Sequence, residues 1–141
     1  MKKYKNIESF DPRTCLSGRI SRIHRLTANI FRKHIAPFGV TNSQLTLLFI
    51  LSKNTVLNQK QLATIAKLEK SSLHRNLKRL IDKKYISLTD FPLLQLTDDG
   101  KKLVNSIIPE WEKAMAEIRG KIGVDGELSI NHIHQNLQTK T

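Results

Sequence analysis

The sequence predicts a mainly α-helical domain with one small β-hairpin. Apolar residues recur every three or four positions over most of the 141 residues, which is the spacing of a helix face. The region near residues 85–96 instead has short runs of β-branched, aromatic and apolar residues around a proline, as a hairpin has. With 39% hydrophobic and 26% charged residues, the chain can bury one core and form a single domain.

The cysteine content and the apolar pattern exclude several classes of protein. One cysteine cannot form a disulfide framework or a multi-cysteine zinc site, and it suits a reducing cytoplasm. The longest apolar run, Leu47 to Leu51, is far shorter than the ~20 residues of a membrane span. No apolar stretch follows the first residues as in a signal peptide, so we expect a cytoplasmic protein without a membrane partner. Nucleotide-binding, hydrolase and paired-carboxylate motifs are missing, so neither an enzyme nor a cofactor is expected.

The positive charge is concentrated in two parts of the chain. The formal net charge is +12, of which residues 1–35 contribute +7 and residues 70–90 contribute +4, while residues 91–141 contribute −1. Such a basic balance indicates a polyanionic partner, with nucleic acid first and an acidic membrane surface second.

The first long helix is predicted over about 12–36. Asp11 is a good N-cap before Pro12, and Phe10 and Cys15 occupy the two positions of a hydrophobic staple. The arginines of this helix lie opposite its apolar stripe, where they either follow phosphates or are simply solvated. Residues 1–36 therefore form an N-terminal arm and a first helix.

Three more helices and a hairpin follow. Capping boxes at 41–44 and 58–61 open helices that end near residues 53 and 66, with a short strand between them at 55–57. A three-residue connection then leads to a helix over 70–83, which we call the reading helix. Two short strands, 85–89 and 93–96, precede Thr97, which caps a long helix of ~37 Å that ends near Ile122. Gly123 and Gly126 break the chain before a last amphipathic segment.

This order of helices, short turn and hairpin is that of a winged helix-turn-helix over 41–97, flanked by a C-terminal helical region over 98–141. The reading helix has the residues that a major groove requires. Ser71 and Ser72 permit close approach of the backbone, Arg75 offers a bidentate fork to guanine, and Lys78 and Arg79 suit phosphates. A surface helix with a solvated charged face is the plain alternative, but the flanking helix and hairpin favour DNA binding.

Three stretches in order resemble the MarR family of bacterial regulators: FGVTNSQLTLLFILS, LATIAKLEKSSLHRNLKRLIDKKYI and LQLTDDGKKL. The resemblance covers about residues 12–137 and matches Ser71, Ser72 and Arg75 to the family's reading helix. It implies a homodimer joined by the first and last helices, acting on a pseudo-palindromic operator in double-stranded DNA. Relatives often bind small aromatic acids, which implies an anionic aromatic effector that an arginine of the first helix could pair.

The hairpin differs from the family pattern. Only nine residues, Ser87 to Gln95, separate Ile86 of the first strand from Leu96 of the second. None of the nine is basic, and the family's usual Asp-x-Arg element is missing. The resemblance therefore does not extend minor-groove reading to this wing. A protein-interaction or non-specific nucleic-acid-binding module is the alternative function.

These arguments give two sets of site residues. The predicted DNA contacts lie on the reading helix and at two other helix starts: Ser71, Ser72, His74, Arg75, Lys78, Arg79, Asn42, Gln59 and Lys60. The predicted dimer contacts are apolar residues of the first and last helices: Leu16, Ile20, Ile107, Trp111, Ile118, Ile122, Ile133 and Leu137. His74 is interpreted as a base or phosphate contact rather than a metal ligand, and a structural role for Cys15 is favoured over peroxide sensing.

Overall fold

The computed structural model describes residues 3–53, 56–88 and 93–139. It confirms a mainly helical fold with a small antiparallel sheet. The elements within these ranges are α1 (Lys5–Ser9), α2 (Leu16–Ile35), α3 (Asn42–Lys53), β1 (Leu57–Asn58), α4 (Gln59–Ala66), α5 (Lys70–Asp82), β2 (Ile86–Ser87), β3 (Leu93–Leu96) and α6 (Asp98–Gln138).

The first long helix begins later than predicted. Asp11 caps a 3-10 turn, Pro12–Thr14, by accepting a hydrogen bond from the backbone N–H of Arg13. Cys15 is the N-cap of α2, because its Sγ accepts from the N–H of Gly18 at 3.4 Å. The predicted hydrophobic staple is wrong. Because the 3-10 turn delays the start of α2 to Leu16, Phe10 and Cys15 do not occupy the two staple positions, and Phe10 is 64% exposed.

Both predicted capping boxes are present. The Thr41 N–H donates to Gln44 Oε1 and the Gln44 N–H donates to Thr41 Oγ1, each at 3.2 Å. In the second box, the Asn58 N–H donates to Gln61 Oε1 at 2.9 Å, and the Gln61 N–H donates to Asn58 Oδ1 at 2.8 Å. Each box satisfies two backbone donors that a helix start leaves free, so α3 and α4 begin where the sequence indicates.

The core surrounds α3. Its aliphatic side chains come from the end of α2 and the segment that follows it, from α3, α4 and α5, from the sheet and from the first part of α6: Ile35, Val40, Leu45, Leu47, Leu48, Leu51, Leu62, Leu73, Leu77, Leu80, Ile86, Leu94, Leu96, Val104 and Ile107. Among the described residues, no single helix is long and apolar enough to cross a membrane. The bent pair Leu16–Phe38 and Asn42–Lys53 together has the length and the apolar composition of a membrane span, on those two criteria only.

The sheet has three strands rather than the two of the predicted hairpin. The strand order is β1-β3-β2, with Leu57 opposite Leu94 and Ile86 opposite Leu96. The short strand predicted at 55–57 is thus represented by Leu57, which pairs with the wing. The predicted hairpin tip at 90–92 and Thr55 lie outside the described residues.

Helix α6 begins at the predicted cap and bends at one of the two predicted breaks. Thr97 Oγ1 accepts from the Gly100 N–H at 3.0 Å. Gly123 has a φ of 73° and a ψ of 176°, which interrupts the helix. A second break at Gly126 is wrong, because this residue is helical and packs so closely that a Cβ there would lie 2.7 Å from Ile122 Cβ.

A charged cluster joins α2 to α6. Lys33 Nζ lies 2.7 Å from Glu117 Oε1, and the largely buried His34 lies between Glu110 and Glu117, with N–O distances of 3.7 and 3.8 Å. The hydrogen bond from the Lys33 ammonium holds the pKa of Glu117 below its usual value. This cluster fixes the first long helix against the last one.

Candidate nucleic-acid interface

The turn between α4 and α5 sets the direction of the reading helix. Lys67 ends α4 in the left-handed conformation, with a φ of 53°, and the Leu68 N–H bonds back to the Ala63 carbonyl at 3.3 Å. Glu69 is extended and is the N-cap of α5. Leu62 and Leu73 are buried on either side of this turn, so α4 holds the N-terminal end of α5 at the surface.

One face of α5 is exposed along its whole length. Its core side is formed by Leu73, Leu77 and Leu80, each at most 2% exposed. The predicted contacts on the opposite side are exposed: Ser71, His74, Arg75, Lys78 and Arg79.

Ser72 differs from the prediction because it is partly buried beside the exposed face. Its Oγ accepts a hydrogen bond from Arg75 Nη2 at 3.4 Å, and its carbonyl accepts from Asn76 Nδ2 at 3.0 Å. The position of Ser72 suits orientation of the Arg75 guanidinium more than direct approach to a ligand.

The N-terminal end of α5 opens onto a concave surface that encloses a volume of about 850 Å³. It is formed by one residue of α4 and five residues around the start of α5: Gln59, Glu69, Lys70, Ser71, His74 and Arg75. We call this surface the α5 concavity. Backbone N–H groups at a helix start and two basic side chains make it attractive to phosphates and to the acceptor edges of bases.

The structure brings together most of the predicted DNA contacts, but not all of them. Gln59 lies in the α5 concavity, and Lys60 is exposed on the first turn of α4. Asn42 instead lines cavities beside α2, next to residues such as Arg32, away from those that line the α5 concavity.

Sequence reasoning missed Glu69 and Lys70, which both line the α5 concavity. The pattern assigned Glu69 to the connection and Lys70 to the helix start, without a contact for either. Their place immediately before two serines at the tip of the reading helix was the signal that could have identified them.

The predicted dimer residues occupy three kinds of environment. Leu16, Ile20, Ile133 and Leu137 are about half exposed or more, and none of them belongs to the core that the described residues form. The partly buried Ile118 and Ile122 line a groove of about 410 Å³ between α2 and α6.

Two of the predicted dimer residues pack inside the chain. Ile107 is 0% exposed in the core, so its assignment to the dimer surface is wrong. The apolar stripe of α6 rotates from the core face to the outer face along the helix, and Ile107 lies in the core half. Trp111 is partly buried and makes an edge-to-face contact with Phe49, with ring centroids 6.0 Å apart.

A second cavity of about 360 Å³ lies between α2, α3 and α6. Its walls are mostly apolar and aromatic, including Phe31, Phe49 and Trp111, with polar groups from Asn42 and His24. No arginine is among its lining residues in the described part of the chain, so the pairing of an effector carboxylate with a first-helix arginine stays a prediction that this cavity does not support.

The sequence was compared with family models and with curated proteins, and one family model matches. Residues 38–92 match a family model described as the MarR family. A search of curated protein sequences finds no significant match.

Solved structures with the same fold cover nearly the whole chain. BpsR of Bordetella bronchiseptica, described as having its DNA binding regulated by 6-hydroxynicotinic acid, is 17% identical, with a TM-score of 0.83 over 92% of this chain and 98% of BpsR. A mutant MarR from E. coli complexed with operator DNA is 14% identical, with a TM-score of 0.82 over 98% of this chain and 100% of MarR. NadR in complex with 4-hydroxyphenylacetate is 22% identical, with a TM-score of 0.75 over 87% of this chain and 94% of NadR.

At these identities the structural likeness establishes the fold, and the family model adds the sequence match over the helix-turn-helix. Residues 38–92 therefore match the model of the MarR family, and the chain as a whole has the winged helix-turn-helix fold of solved structures that include MarR from E. coli.

Proposed function

We propose that this protein is a bacterial transcriptional regulator that binds a specific sequence in double-stranded DNA. The observation that carries the proposal is the exposed serine and arginine face of α5, which opens onto the α5 concavity at the helix tip. In helix-turn-helix proteins the N-terminal residues of the second helix contact base edges in the major groove.

The residues of α5 divide between base and phosphate contacts. Arg75 donates to the O6 and N7 acceptors of guanine, and its hydrogen bond to Ser72 limits the orientations of the guanidinium before DNA arrives. Ser71 and His74 lie in the same concavity and reach bases or the sugar–phosphate backbone. Lys78, Arg79 and Lys60 are exposed beyond the tip and neutralise phosphates.

The protein acts as a homodimer. Its exposed apolar side chains on α2 and on the segment after Gly123 form faces that a soluble monomer would leave in water: Leu16, Ile20, Ile23, Leu26, Val124, Leu128, Ile133 and Leu137. A second copy that covers these faces would place two α5 helices in successive major grooves, ~34 Å apart, on a pseudo-palindromic operator.

We further propose that the protein is a cytoplasmic repressor released by a small aromatic acid. The cavity between α2, α3 and α6 has aromatic walls of a size suited to one ring, and His24 supplies an ionisable polar group. BpsR and NadR, which share the fold, are described with 6-hydroxynicotinic acid and 4-hydroxyphenylacetate. A ligand in this cavity would wedge α2 from α3 and change the angle of the helix-turn-helix.

The test is binding to the DNA upstream of the protein's own coding region, compared with a scrambled duplex of equal length. Arg75→Ala should lose ~1–3 kcal/mol of binding free energy on the operator and little on the scrambled duplex. Arg25→Ala, which removes the same charge from the exposed side of α2, is the matched control and should retain the discrimination. Wild-type binding that ignores sequence over a salt series would reject the regulator in favour of a non-specific module.

A further inference from the structure

The α5 concavity contains one acidic side chain among neutral and basic ones. Glu69 is the N-cap of α5, yet its carboxylate accepts no capping hydrogen bond. Its side chain is exposed and makes no ion pair with any other described residue. The carboxylate is therefore free to meet whatever enters the concavity.

Helix stability alone does not account for a glutamate at this position. An acid near a helix start interacts favourably with the helix dipole, but Ser, Thr, Asp or Asn would also satisfy a free backbone N–H. On a surface that faces DNA, an unpaired carboxylate repels the phosphates and weakens binding to every sequence. A hydrogen-bond donor within the groove would compensate this repulsion.

The chemistry of the major groove restricts that donor. An ionised carboxylate only accepts hydrogen bonds. Guanine presents the acceptors N7 and O6, and thymine presents the acceptor O4, so both repel it. Adenine has an amino group beside the acceptor N7, whereas cytosine presents its N4 amino group alone. Cytosine is thus the base that a carboxylate at the helix tip selects.

We propose that Glu69 is a specificity-determining residue, whose carboxylate accepts a hydrogen bond from the N4 amino group of a cytosine and rejects guanine and thymine at that position. This inference rests on the proposed function and assigns it a base preference. Glu69 and Arg75 are six residues apart, or about 9 Å along the helix axis. With α5 lying along the major groove, as in helix-turn-helix proteins, and 3.4 Å per base pair, the cytosine lies within about two to three base pairs of the guanine that Arg75 reads.

The experiment selects preferred duplexes from a randomised library with the wild-type protein and three variants. The wild type should select cytosine at one position in each half-site, and Glu69→Ala should lose that preference by on the order of 10- to 100-fold while other positions keep theirs. Glu69→Gln should change the preference to adenine, because the glutamine amide pairs with the N6 and N7 edge.

Asp82→Asn is the matched control, since it removes the same charge from the far end of α5, outside the concavity. This variant should select the wild-type sequence. Identical selections by the wild type and Glu69→Ala would overturn the inference and leave the proposed function standing. A wild-type protein that selects no sequence at all would overturn the proposed function, and the inference would fail with it.

Discussion

Gly100 is the position where one added methyl group should most damage the link between the wing and the last helix. A Cβ on Gly100 would lie 2.2 Å from the Tyr85 carbonyl oxygen, whereas ordinary contacts of a Cβ begin at 3.4 Å. The Tyr85 oxygen belongs to the backbone and already accepts a hydrogen bond from the Thr97 N–H at 3.0 Å. Because neither backbone can yield freely, Gly100→Ala has to displace the start of α6.

That displacement has two energetic consequences. Forcing a methyl group into a packed site costs ~1–3 kcal/mol. It also disturbs the Thr97 cap, where Oγ1 accepts from the Gly100 N–H and donates to the Lys84 carbonyl at 2.6 Å, and losing a cap costs ~1 kcal/mol. The expected loss is about 2–4 kcal/mol, out of the ~5–15 kcal/mol that stabilise a typical domain.

Chemical and thermal unfolding followed by circular dichroism measure this loss, at equal protein concentrations because association also stabilises the fold. Gly100→Ala should lower the Tm by roughly 10 °C. Gly120→Ala in the same helix is the matched control, because no atom of the described residues lies within 4 Å of a Cβ added there. This control should gain about 0.5–1 kcal/mol. A Gly100→Ala variant as stable as the wild type would refute the close approach of α6 to the Tyr85 backbone.

Two further predictions concern the ion cluster and the apolar faces. Since the Lys33 ammonium lowers the pKa of Glu117 from 4.5, the ionised carboxylate stabilises the folded state above that pH, and the contribution is lost as the pH falls through the folded-state pKa. Glu117→Gln should therefore lower the Tm at pH 7, and this effect should disappear once acid has protonated Glu117 in the folded protein. Glu112→Gln, which changes an exposed acid of α6, should have little effect at either pH; equal pH profiles for both variants would contradict this role. Sedimentation should show a wild-type dimer, and Leu137→Glu should weaken this dimer. Ile65→Glu, which changes an exposed apolar position on α4, is the control and should leave the dimer intact. A folded wild-type monomer at micromolar concentration would exclude the homodimer.

The sequence by itself determined most of the local structure. The two capping boxes, the Thr97 cap and the break at Gly123 are interactions between residues close in the chain, so their spacing is visible in the sequence. The stripe of leucines on α5 likewise fixed which side faces the core and therefore which side is exposed.

The tertiary structure decided what depends on contacts between distant segments. Ile107 and the exposed Leu137 both belong to apolar stripes, and only the packing of α6 against the rest of the chain separates a core residue from a surface one. The pairing of Leu57 with Leu94, which adds a third strand to the wing, is also a long-range contact.

The same reason applies to the functional surface. Glu69 enters the candidate site because the turn after α4 brings Gln59 and the start of α5 to one concave surface. Residue spacing reports the neighbours of a side chain along one helix, whereas the shape of a binding surface depends on how two helices meet. The sequence therefore determined which helix reads DNA in the proposed function, and the tertiary structure decided which side chains accompany it.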